Sequence, residues 1–461
     1  MPLFKKPMEQ EFFNLCLRAG RPMTELEFYA KELTDWETSP ERREMIDGDR
    51  YYTGDHDILK RQRTAIGPDG KLIVIENLPN NRIVDNQYAK HVDQKANYLL
   101  GQPISFSCEN DDYAAEVKKV LGMRFMRTLK SAGVECLNAG ISWLYPYYNK
   151  NGELAFRVFP GNGSMPFWAD AAHTELDSAL RLYPVEVYYG TEKKIVKKVD
   201  LFTLEGVTTY IFENGVLTPD TEKQAYVRVK DSKGNEQPLN WERFPLIPIK
   251  YNPKEVPLIR RGRSLQDAIN LLQSDFVNNM EEDVRNTVLV LKNYDGQDLG
   301  EFRRNLTTYG AIKVRTVEGT DGGVDSLEIS VNSENYKTVL ELLKKALIEN
   351  LRSYDAKDDR LSGTPNQMNI QSMYCDIDLD ANAMETELQA SFEEILWFVN
   401  TYLANTGKGS YESEDITVIF NRDILINESE AIDNCSKSVG IISDETIVAM
   451  HPWVDDPVAE L

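Results

Sequence analysis

The chain has 461 residues, with 41% hydrophobic and 10% aromatic content, enough to bury a core and too apolar for a disordered polymer. Its formal charge of −22 argues against a protein that grips nucleic acid by neutralising phosphates. Five cysteines, odd in number and scattered, show no paired spacing that would suggest a disulfide framework or zinc site, and no uninterrupted run of about 18 apolar residues suggests a membrane span or a secretion signal.

In chain order, residues 8–65 are polar and mixed in charge, with a short helical patch at 25–33, and read as an arm or outer layer. Asn81 to Gly101 carries Val84, Tyr88, Val92, Ala96 and Leu99 at helical spacing and predicts an amphipathic helix stopped by Gly101. A further helical stretch runs from Asp112 to Asn138, with Gly133 as its expected break. From Gly140 the period changes to that of strands. Asn151-Gly152 predicts a tight hairpin, and the segment from 140 to 250 reads as a mainly antiparallel β region.

Pro245, Pro248, Pro253 and Pro257 mark an extended connector. Leu265, Ile269, Leu272, Phe276, Met280 and Val284 then predict a long helix with one apolar stripe, its other face Asn, Gln, Ser, Asp and Glu. Tyr336, Leu340, Leu343, Leu347 and Leu351 predict a second helix, and residues 287–332 form a small insert between the two. The natural geometry is an antiparallel pair carrying that insert at its tip. The run RSYDAKDDRLSGTPNQMNI, residues 352–370, is a polar break with both Gly363 and Pro365. Beyond it, Met373, Ile377, Ala381, Met384, Leu388, Phe392, Ile395, Val399 and Tyr402 predict a very long helix ended by Gly407. A strand and two short helices follow, the second capped by Ser443.

Signatures of chemistry are sparse. NTGKGS at 405–410 lacks the first glycine of a phosphate loop, and His56, His91, His173 and His451 show no i, i+4 metal-pair spacing. Asp376, Asp378, Asp380 and Glu387 stand at positions 1, 3, 5 and 12 of a calcium loop, but Ala381 replaces its turn glycine. They remain a weak cation candidate against a solvated helix start. Arg260, Arg261, Arg263, Arg285, Arg303, Arg304, Lys313 and Arg315 form a local basic concentration that either contacts nucleic acid or an acidic partner, or is a solvated surface.

NRIVDNQYAKHVDQKANYLLGQPISF, PLIPIKYNP, SLQDAINLLQSDFVNNMEED, LSGTPNQMNIQSMY and VGIISDETIVAMHPWVDDPVAEL, with YYTGDHDILKR near the start, together resemble tailed-phage portal proteins of the siphophage branch typical of Gram-positive hosts. The resemblance runs in order along nearly the whole chain. It departs at GTPNQMNIQSMY, where many relatives have a Ser-Gly pair leading into an Ala-Leu-Lys run.

The resemblance implies an α+β fold of portal type. Its parts are a wing over residues 1–258, a first stem helix over 259–286, a clip over 287–332 and a second stem helix over 333–351. A tunnel loop follows over 352–369, then a long wing helix and return strand over 370–425 and a short helical crown over 426–461. It implies a non-enzymatic, dodecameric ring at a capsid vertex of the virion, assembled in the bacterial host cytoplasm, with no cofactor and no membrane partner. Implied partners are a terminase large subunit that hydrolyses ATP, the major capsid and scaffolding proteins, a head-completion adaptor, and double-stranded DNA passing non-specifically. The tunnel-loop residues so implied are Asp355, Lys357, Asp358, Asp359, Arg360, Ser362, Gly363, Asn366 and Gln367. The loop's charges balance, which suits weak contact with sliding DNA better than a clamp. Two other readings stand beside it: a metal-dependent nucleic-acid enzyme using Asp376, Asp378 and Asp380, and a virion adaptor without DNA contact.

Overall fold

The computed structural model describes residues 23–66, 70–75, 78–230, 236–283, 288–292, 323–327, 333–355, 367–411, 413–422 and 427–454. In chain order the helices are α1 (Glu25–Glu37), α2 (Pro40–Thr53), α3 (Gln87–Leu100), α4 (Asp111–Val120), α5 (Met123–Ala139), α6 (Ile259–Asp283), α7 (Ser333–Asn350), α8 (Gln367–Asn405), α9 (Glu428–Ser438) and α10 (Asp444–Ala449). The strands are β1 (Thr64–Ile66), β2 (Leu72–Val74), β3 (Ser105–Cys108), β4 (Ile141–Tyr148), β5 (Leu154–Phe159), β6 (Ser164–Trp168), β7 (Leu176–Tyr189), β8 (Glu192–Thr203), β9 (Gly206–Glu213) and β10 (Val216–Pro219). They continue as β11 (Val227–Lys230), β12 (Glu236–Leu239), β13 (Ile247–Lys250), β14 (Val288–Lys292), β15 (Gly323–Leu327) and β16 (Ile416–Ile419). The chain divides into two compact units, one of Met1–Asp55, Asn86–Arg263 and Ile348–Leu461, the other of His56–Asp85 and Ser264–Leu347.

In the first unit, α1 starts with a reciprocal cap: the Glu27 N–H donates to Thr24 Oγ1 and the Thr24 N–H donates to the Glu27 carboxylate. Phe28, Tyr29, Leu33 and Trp36 then fall on one face and pack against Met165, Phe167, Leu180, Val199 and Leu217 of the sheet. This corrects the expectation of an outer arm for this stretch, because Phe28 and Leu33 are fully buried. Charged residues between the apolar ones dilute the composition without breaking the helical stripe.

That sheet is antiparallel, in the order β10-β9-β8-β7-β6, and a second one runs β13-β4-β5. Pro248 sits on the edge strand β13, where its missing N–H costs no central ladder bond. The hairpin predicted at Asn151-Gly152 is the β4-β5 connection, which spans residues 149–153. Asn149 Oδ1 accepts from the N–H groups of Asn151 and Glu153, and only Gly152 takes a positive φ, 76°.

The predicted helix at 112–138 is two helices, and the break lies at Leu121-Gly122, where Gly122 caps α5, instead of at Gly133. Gly133 allows close packing: a Cβ there would stand 2.4 Å from Leu100 Cδ1 on α3. The predicted stripe of α8 is buried from Met373 to Tyr402, and Gly407 follows the helix at φ 70°. Ser443 accepts from the Thr446 N–H at the start of α10, as its sequence suggests.

In the second unit, β14 and β15 pair antiparallel within the insert. Phe276 of α6 meets Tyr336 of the first turn of α7, ring centroids 4.9 Å apart. The apolar stripe predicted for α6 is only partly buried, with Leu265, Leu272 and Phe276 half-buried, and the fully buried positions of the helix are mostly polar. Ile269 is buried as expected, but Met280 is 55% exposed, whereas Gln266, Asn270, Ser274 and Asn278 are fully buried.

An extended segment, residues 81–85, is the reason. The N–H groups of Asn81, Ile83 and Asp85 donate to Asn278 Oδ1, Ser274 Oγ and Asn270 Oδ1, and Gln266 Nε2 donates to the Asp85 carbonyl. Two extended residues span about 6.6 Å and four helical residues rise about 6.0 Å, so alternate amides meet successive turns. Hydrogen bonding thus makes burial of this polar face tolerable.

Candidate functional site

The residues that follow α7, from Arg352 to Tyr354, and one acid of α8, Asp380, meet around one buried cluster in the first unit. α7 closes with the Arg352 N–H donating to the Glu349 carbonyl (3.1 Å) and the Ser353 N–H to the Ile348 carbonyl (3.0 Å). This is the helix-ending motif in which glycine usually takes the left-handed position, but here Arg352 holds it at φ 49°.

Lys95 of α3 donates from Nζ to the Arg352 carbonyl at 3.0 Å and to Asp380 Oδ2 of α8 at 2.7 Å. Tyr251 Oη donates to the same carboxylate oxygen at 2.7 Å, and Arg261 reaches Asp380 Oδ1 at 3.2 Å. The Arg352 guanidinium lies 3.7 Å from Asp380 Oδ1. One carboxylate therefore joins α3, the residue after β13, the start of α6, the end of α7 and α8. Although burial by itself would raise the Asp380 carboxyl, Lys95, Tyr251 and Arg261 hold it below the usual aspartate range. Burial lowers the Lys95 ammonium, against the pull of Asp380.

A second grip lies one residue earlier on α3. Gln94 Nε2 donates to the Tyr354 carbonyl at 3.3 Å, and its Oε1 accepts from His91 Nδ1 at 3.0 Å. Burial pushes the His91 imidazole down to about 4, so it is neutral near pH 7, and its Nδ1 carries the proton because an amide oxygen can only accept. The Tyr354 ring packs on Tyr374, which stacks on Tyr98.

Of the predicted loop residues, Asp355 is half-buried beside this anchor. The Gln367 N–H donates to Glu430 and its Oε1 accepts from the Asn427 N–H, joining the starts of α8 and α9. Lys357, Asp358, Asp359, Arg360, Ser362, Gly363 and Asn366 lie outside the described residues, as do Arg285, Arg303, Arg304, Lys313 and Arg315. The described arginines meet acids of the same unit: Arg260 pairs with Glu44, Arg261 with Asp380 and Arg263 with Asp47.

The four acids of the candidate cation loop are not brought together. Asp376 is exposed, Asp378 accepts from Tyr98 Oη and pairs with Arg422, and Asp380 belongs to the cluster above. Burial raises the carboxyl of Glu387. All four lie within the continuous helix α8, which excludes the turn a calcium loop needs at Ala381. Among the described residues, no His, Cys, Asp and Glu group is arranged to hold a metal, and no helix is long and apolar enough to cross a membrane. Sequence reasoning missed Gln94, Lys95, Tyr251 and Arg352. A usable signal existed in Lys95 and Asp380, each a charge set beside the apolar stripe of its own helix.

Residues 36–461 match the profile of the family described as phage portal protein, SPP1 Gp6-like. The portal protein of Bacillus phage SPP1 is 30% identical over 421 residues, 90% of this chain and 82% of that protein. The portal protein of Clostridium phage phiCD119 is 26% identical over 427 residues, 90% of each chain. Solved structures that align include the virion of a native gene transfer agent particle, at TM-score 0.38 and 11% identity, covering 78% of this chain and 87% of that one. The neck of an empty particle of the same kind, computed with C6 symmetry, aligns at TM-score 0.39 and 12% identity, covering 78% and 87%. Likeness at that level adds nothing to the sequence relationship.

Proposed function

Because this chain belongs to the SPP1 Gp6-like phage portal family, we propose that it is the portal subunit of a tailed phage: a ring at one capsid vertex through which the genome is packaged and ejected. The observation that carries this reading is the sequence relationship to two phage portal proteins over 90% of the chain. In the same reading the ring is a dodecamer in the virion and is assembled in the host cytoplasm. A separate terminase supplies ATP hydrolysis, and capsid, scaffolding and head-completion proteins contact the outside. The helices α6 and α7 serve as the stem, residues 287–332 as the clip and residues 352–369 as the tunnel loop.

The physical chemistry supports a conduit. A polyanion slides only where phosphate-binding minima are shallow, and in a symmetric ring an acidic lumen would repeat each charge in every subunit and repel the duplex. Arg260, Arg261 and Arg263 are engaged by Glu44, Asp380 and Asp47, which weakens them as phosphate ligands.

Electron microscopy of the purified protein tests the proposal. Rings with a central channel are expected, and deletion of residues 355–366 should leave the rings intact while impairing DNA filling of capsids. A compact monomer that cleaves DNA with magnesium would overturn it.

A further inference from the structure

We propose that Gln94 and Lys95 are positioning residues that set the direction in which the chain leaves α7 for the polar segment after Asp355. The inference rests on the reading above, in which that segment faces passing DNA. Three observations carry it, all within the first unit.

The turn at Arg352 takes a left-handed backbone conformation that an arginine rarely adopts, so its surroundings must hold it. The holding groups are adjacent on α3 and take the Arg352 and Tyr354 carbonyls, two residues apart. Both groups are themselves fixed: Lys95 by Asp380 at 2.7 Å, and Gln94 by His91 at 3.0 Å.

The two closing backbone bonds of the helix end take the Ile348 and Glu349 carbonyls and do not reach those of Arg352 and Tyr354. The additional grip acts on the residues that lead out of it. Ser353 is buried between the two gripped carbonyls, and the Tyr354 ring is set against Tyr374, its centroid 4.6 Å away. The exit is thus fixed by side chains of α3 and α8 in addition to the helix's own cap.

The test uses the assembled ring with a spin label at Asp355→Cys, in a background where exposed cysteines are replaced by serine. Inter-subunit distances are measured by pulsed dipolar spectroscopy, and capsid filling is measured on the unlabelled counterparts. Gln94→Leu removes one grip without leaving a buried charge. Lys95→Met combined with Asp380→Leu removes the other together with its counter-ion.

Each should broaden the distance distribution roughly twofold, as local restraint is lost, while ring size is retained and DNA filling falls. A distribution unchanged in both variants would overturn the proposal, since contacts that serve only the folded core would leave the exit fixed. The functional reading fails separately: it falls if the variant lacking residues 355–366 fills capsids normally, an outcome that leaves the label measurement intact.

Discussion

Asp380→Asn removes the carboxylate that faces Lys95, Arg261 and Arg352. Asp380 and Lys95 have side chains only 6% and 4% exposed and stand 2.7 Å apart, so water compensates neither. At an effective dielectric constant of about 20 their attraction is worth roughly 6 kcal/mol, and the desolvation of both groups offsets a large part of it. Losing one partner of such a pair typically costs about 3–5 kcal/mol, because the other charge stays buried without compensation. Lys95→Met should cost less, about 1–3 kcal/mol, since Asp380 keeps the Tyr251 hydroxyl and the Arg261 guanidinium.

Combining Lys95→Met with Asp380→Asn should recover part of the loss and give a coupling energy of about 2–3 kcal/mol. Urea unfolding at pH 7, followed by the fluorescence of the buried Trp143 and Trp168, measures each value, with m required to stay constant. A cost below about 1 kcal/mol for Asp380→Asn at unchanged m would refute the reasoning. The pH dependence has a definite sign. The folded-state carboxyl of Asp380 titrates below its unfolded value, so its contribution is present above about pH 4 and is lost as pH falls through the folded value.

Glu135 behaves oppositely, because burial, with Asp49 nearby, pushes its carboxyl up to about 7. Its ionisation therefore opposes folding as pH rises from the ordinary glutamate range, about 4.3, through 7, and Glu135→Gln should melt higher than the parent at pH 8. Superimposable melting-versus-pH curves would contradict that assignment. Asn278→Ala, which removes the acceptor for the Asn81 main-chain and side-chain amides, should cost about 1–2 kcal/mol in urea unfolding. Met280→Ala on the exposed face of the same helix should stay within about 0.5 kcal/mol, and equal effects would mean that the buried face has been misassigned.

Much of the molecule is legible in the sequence because its signals are local. The stripe from Met373 to Tyr402, the stop at Gly407, the cap at Ser443 and the antiparallel strands after Gly140 depend on residues close together in the chain, and the structure contains them. The family relationship was likewise legible, because it is a property of ordered motifs. What the tertiary structure alone decided concerns partners far apart in sequence. Periodicity marks α6 as amphipathic but assumes that only the apolar face turns inward; residues 81–85, nearly two hundred positions away, supply amides that bury a polar face as well. Asp380 read as one acid in a row of three, and Lys95 as a charge on a helix. Only folding sets them 2.7 Å apart in a place water does not reach, where a carboxylate that could be solvated, or could bind a cation, instead fixes the end of α7.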